Sequence, residues 1–384
     1  MSNRPSKLTR LGAVLATAAW GCSGPAASSA ATLVVSPRGV DSTAGSASAP
    51  FRSLKQALLV AKAGARIRLE SGTYEQTSGE TWGYVPAAGI IIAGDDAAHT
   101  LLVGPPPEAG QTLTALTAAA SLTLENLSLV GFGVGLNVTS AAPISLSHVI
   151  VRDGRTAVRL TSNDGQIEIA DSTLSVVESD GAALKLDDGN QRNQILFERD
   201  SVTGGVFVAD ADAALSIEDT TIDGNSSNAA VNFSGATLDI TRSQIRAAAA
   251  PYGISLRAGA LSLGETSVEG GNYAVYQLAG SSKLRKTQLL GYSSIGFYLA
   301  KGSVDLGSQT AAGDNALSGR SGSSGAFGIY VDTGTAPVTS SNTSFDGVVP
   351  PAGTVQAGAQ EIAEPGQYFI TPGQSMQFFY VAER

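Results

Sequence analysis

The stretch SLTLENLSLVG at residues 121–131 contains the pattern that decides the fold. Alternating apolar residues are followed by a polar turn, and a second short apolar segment completes the unit. Because successive copies begin 20 to 28 residues apart, the period is that of a solenoid. The other copies are ISLSHVIVRDG (144–154), IEIADSTLSVV (167–177), ILFERDSVTGG (195–205), LSIEDTTIDGN (215–225), LDITRSQIRAA (238–248), LSLGETSVEGG (261–271) and LRKTQLLGYSS (284–294).

Each copy consists of short segments in which apolar and polar residues alternate, which is typical of β-strands. Frequent Gly, Ser, Asn and Asp residues mark the turns between these segments. A third strand follows each copy, so that one period contains three strands and one complete turn of the chain. The sequence therefore predicts an all-β fold, a single-stranded parallel β-helix in which each period forms one rung.

The composition of the chain limits its partners. The chain has 384 residues, 45 of them Gly, and a net charge of −9. This net negative charge disfavours nucleic acid, because binding to nucleic acid depends on basic contacts to phosphate. The single cysteine, Cys22, has no second cysteine with which to form a disulfide bond. We expect a monomer without a nucleic-acid partner.

The first residues have the pattern of an export signal. Three basic side chains in residues 1–10 precede the apolar run LGAVLATAAW (11–20), which is too short to span a bilayer. The predicted organisation is a signal peptide at 1–21, a flexible tether at 22–31, a β-helix domain at 32–349 and a C-terminal cap segment at 350–384. Two short strands are expected in the cap segment.

The sequence Ala19-Trp20-Gly21-Cys22 resembles the lipobox of bacterial lipoproteins, from which Trp20 departs. The resemblance implies that the mature chain begins at Cys22 and that this residue carries acyl chains. It also implies that a membrane is a partner through this lipid anchor. Because Ser23 rather than Asp follows the cysteine, the sorting pattern of lipoproteins implies the outer membrane of a diderm bacterium, on its periplasmic or surface face.

Residues 32–76 combine a strand, a loop and an amphipathic helix, predicted at 51–63, that leads into the first rung. An uncovered solenoid end exposes core and strand edges, so we expect the helix to cover it. This block resembles the N-terminal region of the DUF1565 family, in the pectin-lyase-like superfamily of right-handed β-helices. The resemblance implies a right-handed fold and little chemistry. The matching residues are Ser36-Pro37, Gly39, Asp41, Gly45, Pro50-Phe51, Leu54, Ala57, Ala61, Gly64, Ile67, Leu69 and Gly72-Thr73-Tyr74.

The third strands of successive rungs align as one sheet, whose side chains alternate between core and solvent. Aromatic rings suit the faces of sugars, and polar side chains suit their hydroxyl groups. The residues expected to face solvent are Asn137, Arg159, Lys185, Phe207, Asn232, Ser255, Tyr276, Tyr298 and Tyr330. We predict that a polysaccharide binds this stripe. Its predicted contact residues are Asn137, Phe207, Asn232, Tyr276, Tyr298 and Tyr330. In the pectin-lyase-like enzymes, the corresponding sheet often lines the substrate groove.

Carboxylates gather where two neighbouring strands of this sheet end. Their oxygens are of the type that Ca²⁺ prefers, so calcium is a candidate cofactor. The candidate metal ligands are Asp187, Asp188, Asp210 and Asp212. Together with a nearby base, the same carboxylates would also serve a calcium-assisted polysaccharide lyase or a glycosidase. The candidate catalytic residues are Asp187, Asp188, Asp210, Lys185 and Arg159.

A polar turn recurs between the first two strands of each rung. Its mixed charges favour a structural ladder along the solenoid axis over a binding site. The residues assigned to this turn are Asn126, His148, Asp171, Asp200, Asp219, Arg242 and Glu265.

Three functions are consistent with these features. The first is binding of a carbohydrate polymer without cleavage, which is favoured because no Gly-x-Ser-x-Gly, phosphate-loop or Cys/His metal pattern occurs in the sequence. The second is a polysaccharide lyase or glycoside hydrolase of the pectin-lyase-like type. The third is a structural or adhesive role at the cell surface.

Overall fold

The computed structural model describes residues 32–106, 112–161, 164–178, 180–187, 192–225, 228–247, 249–308, 310–320, 327–332, 338–340, 342–345, 353–355, 368–370 and 375–380. Within these residues the chain winds as a right-handed parallel β-helix built from three sheets, designated A, B and C. The all-β, parallel β-helical fold predicted from the repeat is confirmed. The predicted signal peptide and tether, including Cys22, lie outside the described residues.

From Ile90–Gly94 to Phe327–Asp332, each rung contributes one strand to each sheet. The strands of sheet A are Thr32–Val35, Arg66–Leu69, Ile90–Gly94, Leu122–Glu125, Ile144–Ser147, Gln166–Ala170, Gln194–Glu198, Ala214–Glu218, Thr237–Thr241, Ala260–Gly264, Ser281–Arg285, Ser303–Leu306, Val338–Ser340 and Gly353–Val355. The strands of sheet B are Gly72–Tyr74, Thr100–Val103, Ser128–Val130, Ile150–Gly154, Thr173–Val176, Ser201–Thr203, Thr221–Asp223, Gln244–Ala247, Ser267–Gly270, Gln288–Tyr292, Asn315–Gly319 and Thr343–Phe345. The strands of sheet C are Thr114–Ala118, Val134–Val138, Thr156–Leu160, Ala182–Leu186, Gly205–Val208, Ala229–Phe233, Tyr252–Leu256, Tyr273–Gln277, Ile295–Leu299, Phe327–Asp332, Tyr368–Ile370 and Ser375–Tyr380.

Inward side chains stack in columns from rung to rung and form one continuous core. In sheet A, Ile144 is paired with Ile167, and Ile167 with Ile195. In sheet C, the residues that alternate with the outward positions face this core, and Val134, Leu160 and Ile254, for example, are at most 5% exposed. Burial of apolar surface stabilises by roughly 25 cal/mol per Å², so each added rung extends the same stabilising core.

Strands of sheet C break the strict alternation of inward and outward residues. Ala274 and Val275 are both buried before the outward Tyr276, and only Val275 of these two is paired with the next strand. The first buried position is small because the backbones approach closely there. A Cβ atom on Gly253 would lie 2.6 Å from the carbonyl oxygen of Ala274 in the next rung. This break brings residues three apart in one strand to the same face.

The described residues contain one α-helix, Leu54–Val60, which is shorter than the predicted 51–63. Ser53 accepts a hydrogen bond of 3.2 Å from a backbone N–H of the first turn. The buried carboxylate of Glu80 accepts two more, at 2.7 and 3.1 Å. These bonds satisfy the N–H groups that a helix start leaves without intrahelical partners. The helix ends after Val60 because Ala61 is extended.

The helix closes the N-terminal end of the core. Its inward residues, Leu54 and Ala57, join the core cluster, and the helix packs against the first two strands of sheet A. A short 3₁₀ helix, Gln76–Ser78, follows the first rung. In the described part of the chain, no helix is both long enough and apolar enough to cross a membrane.

The described residues of the C-terminal segment form three short strands, whereas two were predicted. Gly353–Val355 pairs antiparallel with the last parallel strand of sheet A. Tyr368–Ile370 and Ser375–Tyr380 form an antiparallel pair, and Ser375–Tyr380 also pairs antiparallel with Phe327–Asp332 of sheet C. Reversed strands end the parallel winding and give the last rung hydrogen-bond partners.

The turn between sheets A and B adopts the left-handed conformation in successive rungs, with φ between 48° and 59°. These turn residues are Asn126, His148, Asp171, Arg199, Asp219, Arg242, Glu265, Lys286, Asp314 and Asn342. The assignment of Asp200 to this turn was wrong, because Ile195 and Phe197 set the register and place Arg199 there. Aspartate is common in the left-handed conformation, so residue type alone favours Asp200 over Arg199 at this position.

This outer ladder alternates in charge from Asp171 to Asp314, so that each acid has a base as its neighbour. Arg199 binds Asp171 at 2.7 Å and Arg242 binds Asp219 at 2.9 Å. Lys286 binds Glu265 at 2.8 Å. The predicted structural ladder is therefore present, with ion pairs between neighbouring rungs.

An inner ladder of buried polar side chains begins one residue further along the same turns. Most of its members are hydroxyls that bond to the backbone. Thr220 Oγ1 accepts from the N–H of Asp200 at 3.1 Å and donates to the carbonyl oxygen of Glu218 at 2.9 Å. The members are Ser172, Asp200, Thr220, Ser243, Thr266, Thr287, Asn315 and Thr343.

Candidate functional site

The outward residues predicted for the third strands form one continuous ladder on sheet C. Each is paired in register with the next, beginning with Asn137 and Arg159 and ending with Tyr298 and Tyr330. Neighbouring strands lie about 4.8 Å apart, so the ladder is about 38 Å long. We call these residues the sheet C ladder: Asn137, Arg159, Lys185, Phe207, Asn232, Ser255, Tyr276, Tyr298 and Tyr330.

Five tyrosine rings form one cluster at the C-terminal end of this ladder. Tyr298 stacks on Tyr276 with ring centroids 4.8 Å apart and an interplanar angle of 16°. It also stacks on Tyr330 at 5.2 Å and 8°. We call the cluster the tyrosine platform, and its members are Tyr252, Tyr273, Tyr276, Tyr298 and Tyr330.

Sequence reasoning missed Tyr252 and Tyr273. They precede the outward position by three residues, where strict alternation predicts the opposite face of the strand. Because sheet C buries two consecutive residues, Tyr273 instead lies beside Tyr276, with ring centroids 5.3 Å apart. The recurrent small residue before the core position was the sequence signal for this break. Ser255, which was expected to face solvent, is only 4% exposed. The ring of Tyr252 on the same strand lies beside the ring of Tyr276 on the next strand, with ring centroids 4.9 Å apart.

Within the tyrosine platform, the hydroxyl of Tyr273 remains uncharged near neutral pH. Burial raises the pKa of the Tyr273 hydroxyl above its ordinary value of 10, and the nearby phenols of Tyr252 and Tyr330 raise it further. A neutral hydroxyl donates as well as accepts a hydrogen bond. The platform therefore combines ring faces with phenolic hydroxyl groups, of which that of Tyr273 is neutral.

Phe207 and Asn232 occupy the middle of the ladder. The half-buried ring of Phe207 lies over the backbone of Gly205, where an added Cβ would approach the ring to 2.4 Å. Asn232, on the next strand, is also half-buried. At the N-terminal end, the Oδ1 atom of Asn137 is buried and accepts no hydrogen bond. The ladder thus offers one more aromatic face, whereas the buried Oδ1 atom of Asn137 is not accessible at its surface.

The predicted bases and one predicted acid form a local ion-pair group. Arg159 donates to Asp187 Oδ2 through two nitrogens, at 2.8 and 2.9 Å, and Lys185 lies 3.2 Å from Oδ1. Partial burial raises the pKa of Asp187, but the hydrogen bonds and charges of Arg159 and Lys185 outweigh it and leave the pKa below its usual value. Asp187 is therefore ionised at neutral pH and is not a proton donor there.

The other predicted acids lie in different surroundings. Asp210 is fully buried, where its Oδ1 accepts from the N–H of Asp212 at 3.1 Å and its Oδ2 accepts from Asn193 at 3.4 Å. Asp212 is exposed. Asp188 lies outside the described residues, among which no group of three or more His, Cys, Asp and Glu side chains could hold a metal ion. The calcium site, which includes Asp188, stays a prediction.

A cleft of about 550 Å³ lies where sheet B turns into sheet C in the early rungs. Phe132 and Val177 contribute apolar surface to it, and Asp153 and Glu178 contribute carboxylates. Arg155, which also lines the cleft, lies 3.4 Å from Glu178. These residues lie in turns that differ from rung to rung, so no repeated sequence pattern marks them.

Three solved structures illustrate the similarity of the fold. A structure described as rhamnogalacturonan lyase is 13% identical, with a TM-score of 0.44, over 75% of this chain and 74% of that one. Pectate lyase Pel9A is 14% identical, with a TM-score of 0.44, over 83% and 79%. The GH136 lacto-N-biosidase from Eubacterium ramulus is 11% identical, with a TM-score of 0.40, over 82% and 67%. At these identities the similarity is one of fold alone.

No curated protein is significantly similar to the chain in sequence. The model of one family, described as a protein of unknown function (DUF1565), matches residues 37–352. This range contains the parallel strands of all three sheets except the first, Thr32–Val35, and the whole sheet C ladder. Because the match extends over most of the chain, the protein belongs to the DUF1565 family.

Proposed function

We propose that the protein binds a carbohydrate polymer along the sheet C ladder without cleaving it. The observation that carries this proposal is the tyrosine platform, a set of five neighbouring rings on one face of a rigid sheet. Side chains on packed strands are held in place before a ligand arrives, which lowers the entropic cost of binding. Rings with neutral hydroxyls suit the faces and hydroxyl groups of sugars.

The length and the period of the ladder support a polymer rather than a small ligand. Its contacts recur at about 4.8 Å over about 38 Å, and polar or ring contacts continue beyond the platform. The half-buried Phe207 and Asn232 extend the surface toward the pair Arg159 and Lys185. A chain of sugars can therefore meet a contact at nearly every rung.

The state of the acids supports binding over catalysis. An acid that protonates a glycosidic oxygen needs a raised pKa. Asp187 instead has a lowered pKa, and Asp210 is buried without access to a polymer. Arg159 and Lys185 are both engaged by Asp187.

The double variant Tyr276→Ala/Tyr298→Ala is expected to weaken polysaccharide binding by about 5- to 150-fold, if each ring contributes about 0.5–1.5 kcal/mol. A glycan array would identify the ligand, and affinity electrophoresis or calorimetry would measure the change. Tyr276→Phe/Tyr298→Phe keeps the rings and should retain most of the affinity. Lys283→Ala, on the exposed face of sheet A, should change nothing. Absence of binding to any polysaccharide, or full binding by the double Ala variant, would contradict the proposal.

We further propose that the protein acts at the cell envelope, held there by acyl chains on Cys22. The support for this anchor is the export signal followed by the protein's single cysteine at the expected cleavage point. Residues 22–31 are rich in small residues and suit a short flexible tether. An anchored solenoid would present the sheet C ladder to polymers of the envelope or of its surroundings.

A further inference from the structure

The N-terminal end of the solenoid carries an unusual concentration of exposed apolar side chains. Leu59 and Val60 of the helix are 77% and 45% exposed, and Val40 in the preceding loop is 55% exposed. The loop and the helix start are joined, because the N–H of Val40 donates to the carbonyl oxygen of Pro50 at 3.0 Å. Among the described residues, the other large apolar side chains of comparable exposure are Val85 and Val177.

Basic side chains surround this apolar group. Lys55 lies one helical turn before Leu59, and Lys62 follows the end of the helix by two residues; both are exposed. Arg38 and Arg52, also exposed, lie in the adjoining loop. Among the described side chains, none forms an ion pair with these four residues.

Two acids next to the helix, Asp41 and Glu80, are engaged by backbone N–H groups. Asp41 accepts from the N–H groups of Arg52 and Ser53 at 2.8 and 2.9 Å. The Glu80 carboxylate is 1% exposed and caps the helix. The outer surface of the helix is therefore apolar and positively charged, whereas the whole chain has a net charge of −9.

We propose that this end of the solenoid contacts an anionic lipid surface, with Leu59 and Val60 entering the interface and Lys55, Lys62 and Arg52 meeting the headgroups. This arrangement of one apolar group within a basic rim is typical of interfacial segments. Leu59 faces away from the core, because Leu54 and Ala57 on the other side of the helix are buried.

The length of the tether argues for a bilayer as the occupant, an argument that rests on the proposed anchor at Cys22. The ten residues 22–31 span at most about 35 Å, and about 17 Å on average if flexible. They lead into Thr32–Val35, the strand against which the helix packs. An acylated Cys22 would thus hold this end, and not the tyrosine platform, next to the membrane.

The test uses residues 22–384 carrying Cys22→Ser, which contain no other cysteine. Leu59→Cys is labelled with an environment-sensitive fluorophore and titrated with vesicles of phosphatidylcholine and phosphatidylglycerol. We expect its emission to shift to the blue and to at least about double. Val177→Cys is the matched control and should not respond; this site is comparably exposed and directly follows the sheet B strand Thr173–Val176. Vesicles of phosphatidylcholine alone should give a much weaker response, since the charge contribution is missing.

Charge reversal provides the second arm of the test. Lys55→Glu/Lys62→Glu is expected to lower partitioning into anionic vesicles by about thirtyfold or more, because each basic side chain near such a surface contributes about fivefold. Equal responses at positions 59 and 177, no response to anionic vesicles, or indifference to charge reversal would each overturn the proposal. A response at position 59 that rises with protein concentration without vesicles would identify a second copy of the chain as the occupant and overturn it too. The tested protein carries no acyl chain, so a negative result would contradict the lipid contact of this end without contradicting the proposed anchor at Cys22.

Discussion

Asp200→Thr is expected to make the protein more stable than the wild type at pH 8. At pH 4 most of this difference in stability should disappear. Asp200 is 4% exposed within the inner ladder. Burial raises the pKa of its carboxyl from 3.8 to about 7, against the opposing hydrogen bonds from the N–H groups of Ser172 and Glu198. Between pH 4 and pH 7 the folded state therefore binds more protons at this site than the unfolded state. Stability falls as the pH rises through this window, by on the order of 4 kcal/mol in total.

Thr is the suitable replacement because hydroxyls already occupy this position in neighbouring rungs. Thr220 and Ser243 donate to the carbonyl oxygen two residues before them and accept an N–H from the preceding rung. A hydroxyl at position 200 can donate to the carbonyl oxygen of Glu198 and accept from the N–H of Ser172. The variant thus keeps the ladder and lacks the buried charge.

Thermal unfolding of both proteins between pH 4 and pH 9 measures this effect. The difference in midpoint should be small at pH 4, grow up to about pH 7 and then remain constant. Asp219→Asn is the matched control, since its exposed carboxyl has a pKa lowered by the hydrogen bond and charge of Arg242. Between pH 4 and pH 9 the difference between Asp219→Asn and wild type should not vary, because the contribution of the Asp219 carboxylate is lost only as the pH falls below about 4. A difference between Asp200→Thr and wild type that does not vary with pH would show that Asp200 is ionised in the fold.

Cys22→Ser is expected to convert a membrane-associated protein into one that is released from the membrane with its fold intact. Each buried CH₂ of an acyl chain contributes about 0.8 kcal/mol, so two or more chains anchor stably. The surface around Leu59 is a weak electrostatic contact by comparison and should be removed by salt. Fractionation of cells before and after a high-salt wash measures the redistribution.

Ser23→Ala is the matched control for the anchor, because it leaves the cysteine in place. It should pellet with membranes as the wild type does. If the Cys22→Ser protein still pellets after the salt wash, the anchor lies elsewhere in the chain. Mass spectrometry of the mature N-terminus provides a direct check, because acyl chains on Cys22 add a defined mass.

The repeat determined the architecture from sequence alone because it is a local, periodic signal. Alternating apolar residues such as Leu122 and Leu124, followed by a polar turn, recur at a period that suits only a stacked winding. Stacking then places residue n of one rung above residue n of the next, so the outward ladder of Arg159, Lys185 and Tyr276 followed from simple alignment. The structure confirms this register.

Only the tertiary structure decided what surrounds each predicted residue. Tyr252 and Tyr273 joined the platform because close packing of small residues such as Gly253 breaks the alternation of sheet C. Sequence placed Asp187 and Asp210 together as acids, whereas the fold pairs one with Arg159 and buries the other. The pKa of an acid depends on burial and on the charges that other rungs bring near it.

The tertiary structure also decided the one-residue shift that places Arg199 rather than Asp200 in the outer turn. Inward packing of Ile195 and Phe197 sets the register, and a polar turn residue does not outweigh a buried core pair.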